Sequence, residues 1–331
     1  MKIESVGVIG GGAWGTALAQ TMALAGRNVL IWAYEPDTVR EINEHHINRV
    51  FLPGVTLEET VTATGKLAVA AACDIILLVP PAQHVRRIAG ELAAQLPDGR
   101  PVVVCAKGIE QATGRLMGEV VAEVLPRALH ADLSGPSFAA DVARGMPAAV
   151  TLACPDEVAG RALAEGLGYR NFRIYWTSDT IGVELGGAVK NVLAIAAGIV
   201  DGKALGASAH AALVTRGFAE LRRLGEALGA RSETLMGLSG LGDLILTCSS
   251  PQSRNMSLGR ALGQGRSVKQ VMGERRAVTE GVFTAAAVMR IAGERGIELP
   301  ICAAVHAIVE DRISVDDAIE GLMTRPQRAE D

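Results

Sequence analysis

Three cationic side chains, Lys107, Lys190 and Arg254, stand in surroundings that are otherwise apolar or rich in glycine. Lys190 falls in Gly186-Gly187-Ala188-Val189-Lys190-Asn191, a helical pattern of small and apolar residues. A lysine there must either snorkel to the surface or enter a pocket. In a pocket its ammonium ion loses solvation, and its pKa falls from the ordinary ~10.4 towards neutrality, where it can accept a proton. Lys107 follows the apolar run Val102 to Cys105. It is therefore either a ligand contact at the carboxyl end of a parallel strand or a solvated loop lysine. Ser253-Arg254-Asn255 comes just after Pro251, near a helix start. Guanidinium, hydroxyl, amide and free helix N–H groups together suit a phosphate, although the triplet alone also reads as a simple helix start. Gly237-Leu238-Ser239-Gly240-Leu241-Gly242-Asp243 offers one carboxylate on a glycine-rich turn. Asp243 either orients an ammonium or caps the next helix. Ser134-Gly135-Pro136-Ser137-Phe138 breaks the chain after a short apolar run and reads by itself as a turn.

The N-terminus carries a different chemistry. Gly10-Gly11-Gly12-Ala13-Trp14-Gly15 fits G-x-G-x-x-G, follows an apolar strand and opens a helix. Gly10 permits the tight turn, Gly12 lets the backbone approach a pyrophosphate, and Gly15 allows close packing of helix on strand. The phosphates of a nicotinamide dinucleotide, NAD or NADP, would then rest on free N–H groups. Glu35 lies 20 residues past Gly15, where an acid accepts ribose hydroxyls and repels a 2′-phosphate. Alternatively it caps the helix beginning at Pro36. Arg40 and Arg49 stand close enough in sequence to serve a 2′-phosphate, so use of both cofactors stays open.

These residues need a scaffold, and the apolar pattern supplies one. Val6 to Ile9, Asn28 to Trp32, Ile75 to Val79, Val102 to Cys105, Ala148 to Leu152 and Phe172 to Tyr175 read as strands. Helical patterns at Ala13 to Ala25, after Pro36, at Gly114 to Val124 and near Asp156 to Leu167 separate them. Such alternation implies a mostly parallel sheet covered by helices, a Rossmann-like α/β domain. After Thr177 strand signals nearly vanish, and Val183 to Val200, Ser208 to Leu228, Ser257 to Leu262, Ala285 to Glu294 and Ala303 to Asp311 read as helices. The expected division is 1–182 for the dinucleotide-binding domain and 183–331 for an all-helical C-terminal domain carrying substrate and catalytic residues.

Composition narrows the class. A balance of 32 basic against 36 acidic residues leaves a net charge of -4, which argues against a nucleic-acid or anionic-membrane surface. The uninterrupted apolar runs fall short of a membrane span, so no integral membrane segment is expected. Five cysteines without a CxxC pair read as reduced, buried thiols in a cytoplasmic protein, and no metal-ligand spacing is present.

Taken together, the segments resemble the soluble bacterial NAD(P)-dependent glycerol-3-phosphate dehydrogenases. The matching stretches are Gly10 to Ala17, Ala106 to Glu110, Gly135 to Ala139, Gly186 to Asn191, Thr215 to Gly217, Gly237 to Cys248, Ser253 to Asn255 and Glu280-Gly281, in order along nearly the whole chain. The resemblance implies reversible oxidation of sn-glycerol 3-phosphate to dihydroxyacetone phosphate, with reduction supplying phospholipid synthesis. It implies that Lys190 is the proton acceptor and that Lys107 contacts both substrate and cofactor. It further implies that Gly135, Ser137, Asp243, Ser253, Arg254 and Asn255 border the substrate. Trp14, Ala139, Arg254, Val278 and Glu280 would border the cofactor. Tyr34 stands where that family often has Arg or His, near the adenosine ribose, and with Glu35 it predicts that NADH is accepted. A small phosphorylated molecule is the expected partner, and helical second domains of this kind often pair as homodimers. Two other readings are a 3-hydroxy-acid dehydrogenase of the 6-phosphogluconate dehydrogenase type and a nicotinamide-sensing regulator without turnover.

Overall fold

Short runs of aliphatic residues bounded by glycine and proline build the first half as strands buried on both faces. The computed structural model describes residues 2–274 and 278–326. Its strands are β1 (Ser5–Ile9), β2 (Asn28–Trp32), β3 (Ile47–Asn48), β4 (Leu52–Thr56), β5 (Val61–Thr64), β6 (Ile75–Leu78), β7 (Pro101–Val104), β8 (Leu129–Ser134), β9 (Ala148–Ala153) and β10 (Phe172–Thr177). Eight of them form one sheet in the order β10-β9-β8-β7-β6-β1-β2-β5, while β3 and β4 pair as a separate antiparallel ribbon. Neighbours in the large sheet are parallel except β8 and β9. β1 pairs with β2 on one side and β6 on the other, so the winding reverses at β1 and leaves a crevice at the strands' carboxyl ends.

The helix expected over Gly114 to Val124 starts later, at Met117. Gly114 has φ +75°, and Ile109 bridges back to Leu116, so this stretch folds on itself before the helix begins. The ribbon, β5 and the helix Val85–Ala93 are further elements that the apolar-run reading passed over.

Beyond Thr177 the described chain is helical. Asp179 starts the helix Thr180–Gly202, its carboxylate accepting a hydrogen bond from Gly182 N at 2.9 Å. This helix is long and apolar enough by composition to cross a bilayer, which the shorter uninterrupted runs concealed. However, 94% of its apolar window is buried inside the protein, as the axis around which the other helices pack.

Glycines set how closely the second helix of the site approaches that axis. Gly198 and Gly202 on the central helix lie against the backbone of Met256 and Arg260 on the helix Arg254–Gly263, whose Gly259 and Gly263 lie against Ile195 and Ile199. A Cβ at Gly259 would strike the Ile195 carbonyl, and one at Gly263 would lie 2.6 Å from Ile199 O. Backbones this close leave no room for any side chain, and the contact fixes the start of the second helix beside the central one. Gly259→Ala is expected to cost about 1–3 kcal/mol by overpacking, read as a lower urea midpoint at unchanged slope. Gly293→Ala is the control: an added Cβ meets nothing within 4 Å on an exposed helix face, so stability should rise by about 0.5–1 kcal/mol.

Candidate active site

The glycine turn is shaped as its residue types require. Gly10 has φ +130°, and a Cβ there would come within 2.8 Å of Val79 O. A Cβ at Gly15 would strike the Gly10 carbonyl, so the helix Ala13–Leu24 can sit against β1 only with glycine here. Gly12 is different, because a Cβ would meet nothing within 4 Å. The space in front of it is open, and no side chain caps the helix that starts there. Open space before uncapped N–H groups fits a pyrophosphate. Buried Asn48 stiffens the turn by donating to Gly11 O at 2.8 Å and to Thr16 Oγ1 at 2.9 Å. Nothing in the local pattern around Asn48 signals this contact.

At the carboxyl end of β2, Tyr34 is 76% exposed and Glu35 is exposed beside it. Glu35 occupies the N-cap position of the helix Pro36–His45, but its side chain makes no capping hydrogen bond. Of the two readings of Glu35, the capping one is therefore not realised, and the carboxylate faces solvent. Arg40 pairs with Asp37 at 2.8 Å and Arg49 with Glu41 at 3.7 Å, so neither arginine is committed to this spot.

The two lysines converge on one carboxylate. Asp243 is 1% exposed. Its Oδ1 lies 2.5 Å from Lys190 Nζ and its Oδ2 lies 2.8 Å from Lys107 Nζ. Asp243 thus orients ammonium groups instead of capping its helix. It follows a single π-turn, Leu238–Gly242, whose Gly242 N donates to Gly237 O at 3.0 Å. Gly186 allows this turn to press against the central helix, since a Cβ there would strike the Ser239 carbonyl. Lys190 also donates to Thr247 Oγ1 at 3.0 Å, and Thr247 in turn donates to Asp243 Oδ1 at 3.3 Å. Thr247 was not singled out from the sequence, although its spacing of four from Asp243 on one helix is the signal. Lys107 Nζ donates to Gly135 O at 2.9 Å, the same carbonyl that accepts from Ser137 Oγ at 2.9 Å. It also stands 5.9 Å from the centre of the Trp14 ring, which ties it to the glycine turn.

Burial acts most strongly on Lys190 and lowers its pKa to about 8. The attraction and hydrogen bond of Asp243 work upwards, and the charge of Lys107 works downwards. The result is an amine that both holds and releases a proton near neutral pH, as proton transfer demands.

The third cation sits on the neighbouring helix. Ser253 caps the helix Arg254–Gly263, its hydroxyl accepting from Met256 N at 3.2 Å. Arg254 follows as an exposed side chain in the first turn. Asn255 is buried and joins the two helices, donating to Asn191 Oδ1 at 2.9 Å and accepting from Gly281 N at 3.0 Å. Asn191 reaches Lys107 O at 3.4 Å, so a chain of amides links the Ser253-Arg254-Asn255 triplet to the lysine pair. Asn191 is the residue in this link that sequence reading left without a role. Glu280 closes the far side, its Oε1 accepting from Ala82 N at 3.1 Å across the two halves of the molecule. Burial raises the Glu280 carboxyl above its ordinary value, against the hydrogen bond from Ala82 and the charge of Arg254. Half-buried Val278 precedes it, and Ala139 starts a short helix directly after Ser137 and Phe138. Tyr34 and Glu35 follow β2 and lie at the β2 end of the crevice.

Comparison with known proteins finds matches for both halves of the chain. The family model described as the N-terminus of NAD-dependent glycerol-3-phosphate dehydrogenase matches residues 5–159, and that described as its C-terminus matches residues 179–320. A protein of Parvibaculum lavamentivorans named glycerol-3-phosphate dehydrogenase (NAD(P)+) is 59% identical over 330 residues, covering 100% of this chain and 99% of its own. One of the same name from Maricaulis maris is 58% identical, covering 98% of each. The crystal structure of glycerol-3-phosphate dehydrogenase from Coxiella burnetii superposes with a TM-score of 0.93 at 38% identity, covering 98% of this chain and 99% of that one.

Proposed function

The chain belongs to the NAD-dependent glycerol-3-phosphate dehydrogenase family, and on that premise we propose that Lys190 is the proton acceptor for the C2 hydroxyl of sn-glycerol 3-phosphate. The activity is the family's: NAD(P)-dependent interconversion of sn-glycerol 3-phosphate and dihydroxyacetone phosphate. The observation that carries the assignment is the buried Asp243 carboxylate shared by two lysines, one of them lowered to about pH 8.

Gly10, Gly12 and Gly15 with the following helix N–H groups would hold the dinucleotide pyrophosphate. Tyr34 and Glu35 would border its adenosine ribose, and Trp14, Lys107, Ala139, Arg254, Val278 and Glu280 the remainder. When bound, the nicotinamide ring supplies the hydride acceptor for C2. On the protein side, neutral Lys190 takes the hydroxyl proton, and in reduction its ammonium form returns one to the developing alkoxide. Asp243 fixes the lysine's direction through Oδ1. Lys107, Gly135 and Ser137 border the substrate beside it, while Ser253, Arg254 and Asn255 take the phosphate. Binding at the phosphate places C2 next to Lys190 before any proton moves. At pH 7 most of a lysine with a pKa of about 8 is protonated, the form that reduction requires. Reduction as the physiological direction, supplying glycerol 3-phosphate for phospholipid synthesis, belongs to the same family reading.

We divide the labour at residues 182 and 183, in the first turn of the central helix Thr180–Gly202 and shortly after the last strand ends at Thr177. Five free, buried cysteines support the cytoplasm as its compartment. A homodimer belongs to the same reading, supported by exposed Ala207, Ala211, Ala212 and Thr215 along one helix face.

The deciding assay follows nicotinamide absorbance with dihydroxyacetone phosphate and with 6-phosphogluconate, each with both cofactors. Turnover of dihydroxyacetone phosphate alone is the expected result, and its failure with both NADH and NADPH would overturn the reading. Glu35 carries a second expectation. NADH is accepted by the wild type, and Glu35→Ser should raise kcat/KM for NADPH about tenfold relative to NADH by removing one charge from the 2′-phosphate's surroundings. An unchanged ratio would place Glu35 outside the ribose site.

A further inference from the structure

Alternate residues of a strand share a side, and β8 uses one side for His130, Asp132 and Ser134. That side faces the central helix at Glu184 and Gly187. A Cβ at Gly187 would strike Ser134 Oγ and lie 3.6 Å from Lys107 Cγ. Between them is a cavity with about 10 Å³ open to a water-sized sphere, lined by Val104, Lys107, Asp132, Ser134 and Glu184 among others. Asp132 Oδ1 lies 3.0 Å from His130 Nε2, and Glu184 Oε1 accepts from Gly118 N at 2.5 Å. Asp132 Oδ2 and Ser134 Oγ are buried without a hydrogen-bond partner. Unmatched buried polar atoms at a cavity large enough for a single water are characteristically bridged by one.

We propose that one internal water joins Asp132 Oδ2, Ser134 Oγ and Glu184, that Glu184 is neutral and supplies the proton this arrangement needs, and that the cluster is a positioning device for Lys107. The inference rests on the reading of Lys107 as a substrate contact. Two carboxylates around a small cavity that holds a single water do not both stay ionised at low cost. Asp132 already has the His130 ring as a partner at 3.0 Å, which leaves the proton to Glu184. Burial first, then the charge of Asp132, pushes the Glu184 carboxyl well above its ordinary range. Burial depresses the His130 imidazole, but the charge and hydrogen bond of Asp132 outweigh it and raise the ring's pKa. The other groups facing the pair are Glu119 from the helix Met117–Val124, Lys107 and Cys105 beyond β7, and Cys154 beyond β9. The mechanical link to the site is short. Ser134 directly precedes Gly135, whose carbonyl holds Lys107 Nζ at 2.9 Å.

Two readouts test the proposal on the full chain. The first needs no substrate. A carboxyl whose folded pKa is raised loses its stabilising contribution as pH rises from the unfolded pKa towards the folded one. Glu184→Gln has no such proton, so its Tm should gain on the wild type, by up to about 2 °C per pH unit, as pH rises above the ordinary carboxylate range. A constant gap would mean that Glu184 is ionised and would overturn the proposal. The second readout is kinetic. Glu184→Leu should raise KM for dihydroxyacetone phosphate about tenfold with kcat changed less than about threefold, and Glu184→Gln should restore KM to within about twofold. A lower Tm with unchanged KM in Glu184→Leu would show a merely structural role. Should that variant not fold, Ser134→Ala, which removes one partner of the water, carries the same KM expectation and the same power to overturn. Absence of wild-type turnover would instead indict the assigned activity, and the Tm comparison would still be readable.

Discussion

Lys190→Met is expected to lower turnover in both directions by about 10³-fold or more while leaving dinucleotide affinity within about twofold. The size follows from what is removed. General acid–base help from a positioned side chain is worth about 10²–10⁴ in rate, and Lys190 is the one lysine here whose pKa is brought to about 8 by burial. Methionine matches the unbranched stem and suits the buried slot, 7% exposed, that the lysine occupies. Asp243 keeps Lys107 at 2.8 Å, so no carboxylate is stranded. Lys190 donates its hydrogen bonds to Asp243 and Thr247 in the helical half, which is why cofactor binding, measured by titration, should hold. Lys190→Arg should be nearly as damaging for oxidation, because a guanidinium does not give up its proton near neutral pH. Near-wild-type single-turnover rates in the Met variant would remove Lys190 from its role.

The scaffold for this chemistry is legible in sequence where local pattern and tertiary demand coincide. β2 runs over Asn28–Trp32 as its apolar run predicts, and the turn into the helix at Ala13 follows from glycine spacing alone. The long helix is predicted shorter than it is, because Asp179, three residues before Gly182, makes a cap that polarity alone does not reveal. The antiparallel placement of β9 has no local signature, since a buried strand reads the same in either direction. The candidate site divides in the same way. Lys190, Lys107 and Arg254 announce themselves as charges in apolar company. Their assembly does not, because Asp243 meets Lys190 across 53 residues and Lys107 across 136. Asn48 and Asn191 are invisible for the same reason: each matters only through what folding brings to it.

Small residues tie these levels together. Gly186 admits the π-turn that aims Asp243, Gly187 admits Ser134 and the stem of Lys107, and Gly259 brings the phosphate-side helix against the central one. The site is therefore assembled by backbone proximity more than by large apolar anchors, consistent with a chain in which aromatics are 3% and glycines number 38. A protein built this way has little slack to absorb a side chain near the lysines.

Asp243→Asn should lower kcat by about 100-fold and move the pH dependence of the reaction in a defined direction. Asparagine keeps the shape and one acceptor oxygen but turns its NH2 towards the other lysine, so the charge and one of the two hydrogen bonds are removed together. In the wild type the attraction of Asp243 opposes the depression of Lys190 by burial and by Lys107, and the balance falls at about 8. Without the carboxylate the two strongest raising influences are gone, burial and Lys107 still act downwards, and the Lys190 pKa should fall further. Oxidation needs the neutral amine, so its rate rises with pH through that pKa, and the rise should move to lower pH in the variant. Reduction needs the ammonium form, so its fall with rising pH should also begin earlier. At a fixed pH near 7.5 the reductive rate should therefore suffer more than the oxidative one. Profiles of kcat/KM for free enzyme in both directions measure this. A limb that stays at about 8, or moves up, would mean that Asp243 does not act on Lys190 through its charge. The double variant Lys190→Met, Asp243→Asn then separates orientation from charge: if Asp243 works only through Lys190, adding the Asn change to Lys190→Met should cost almost nothing more.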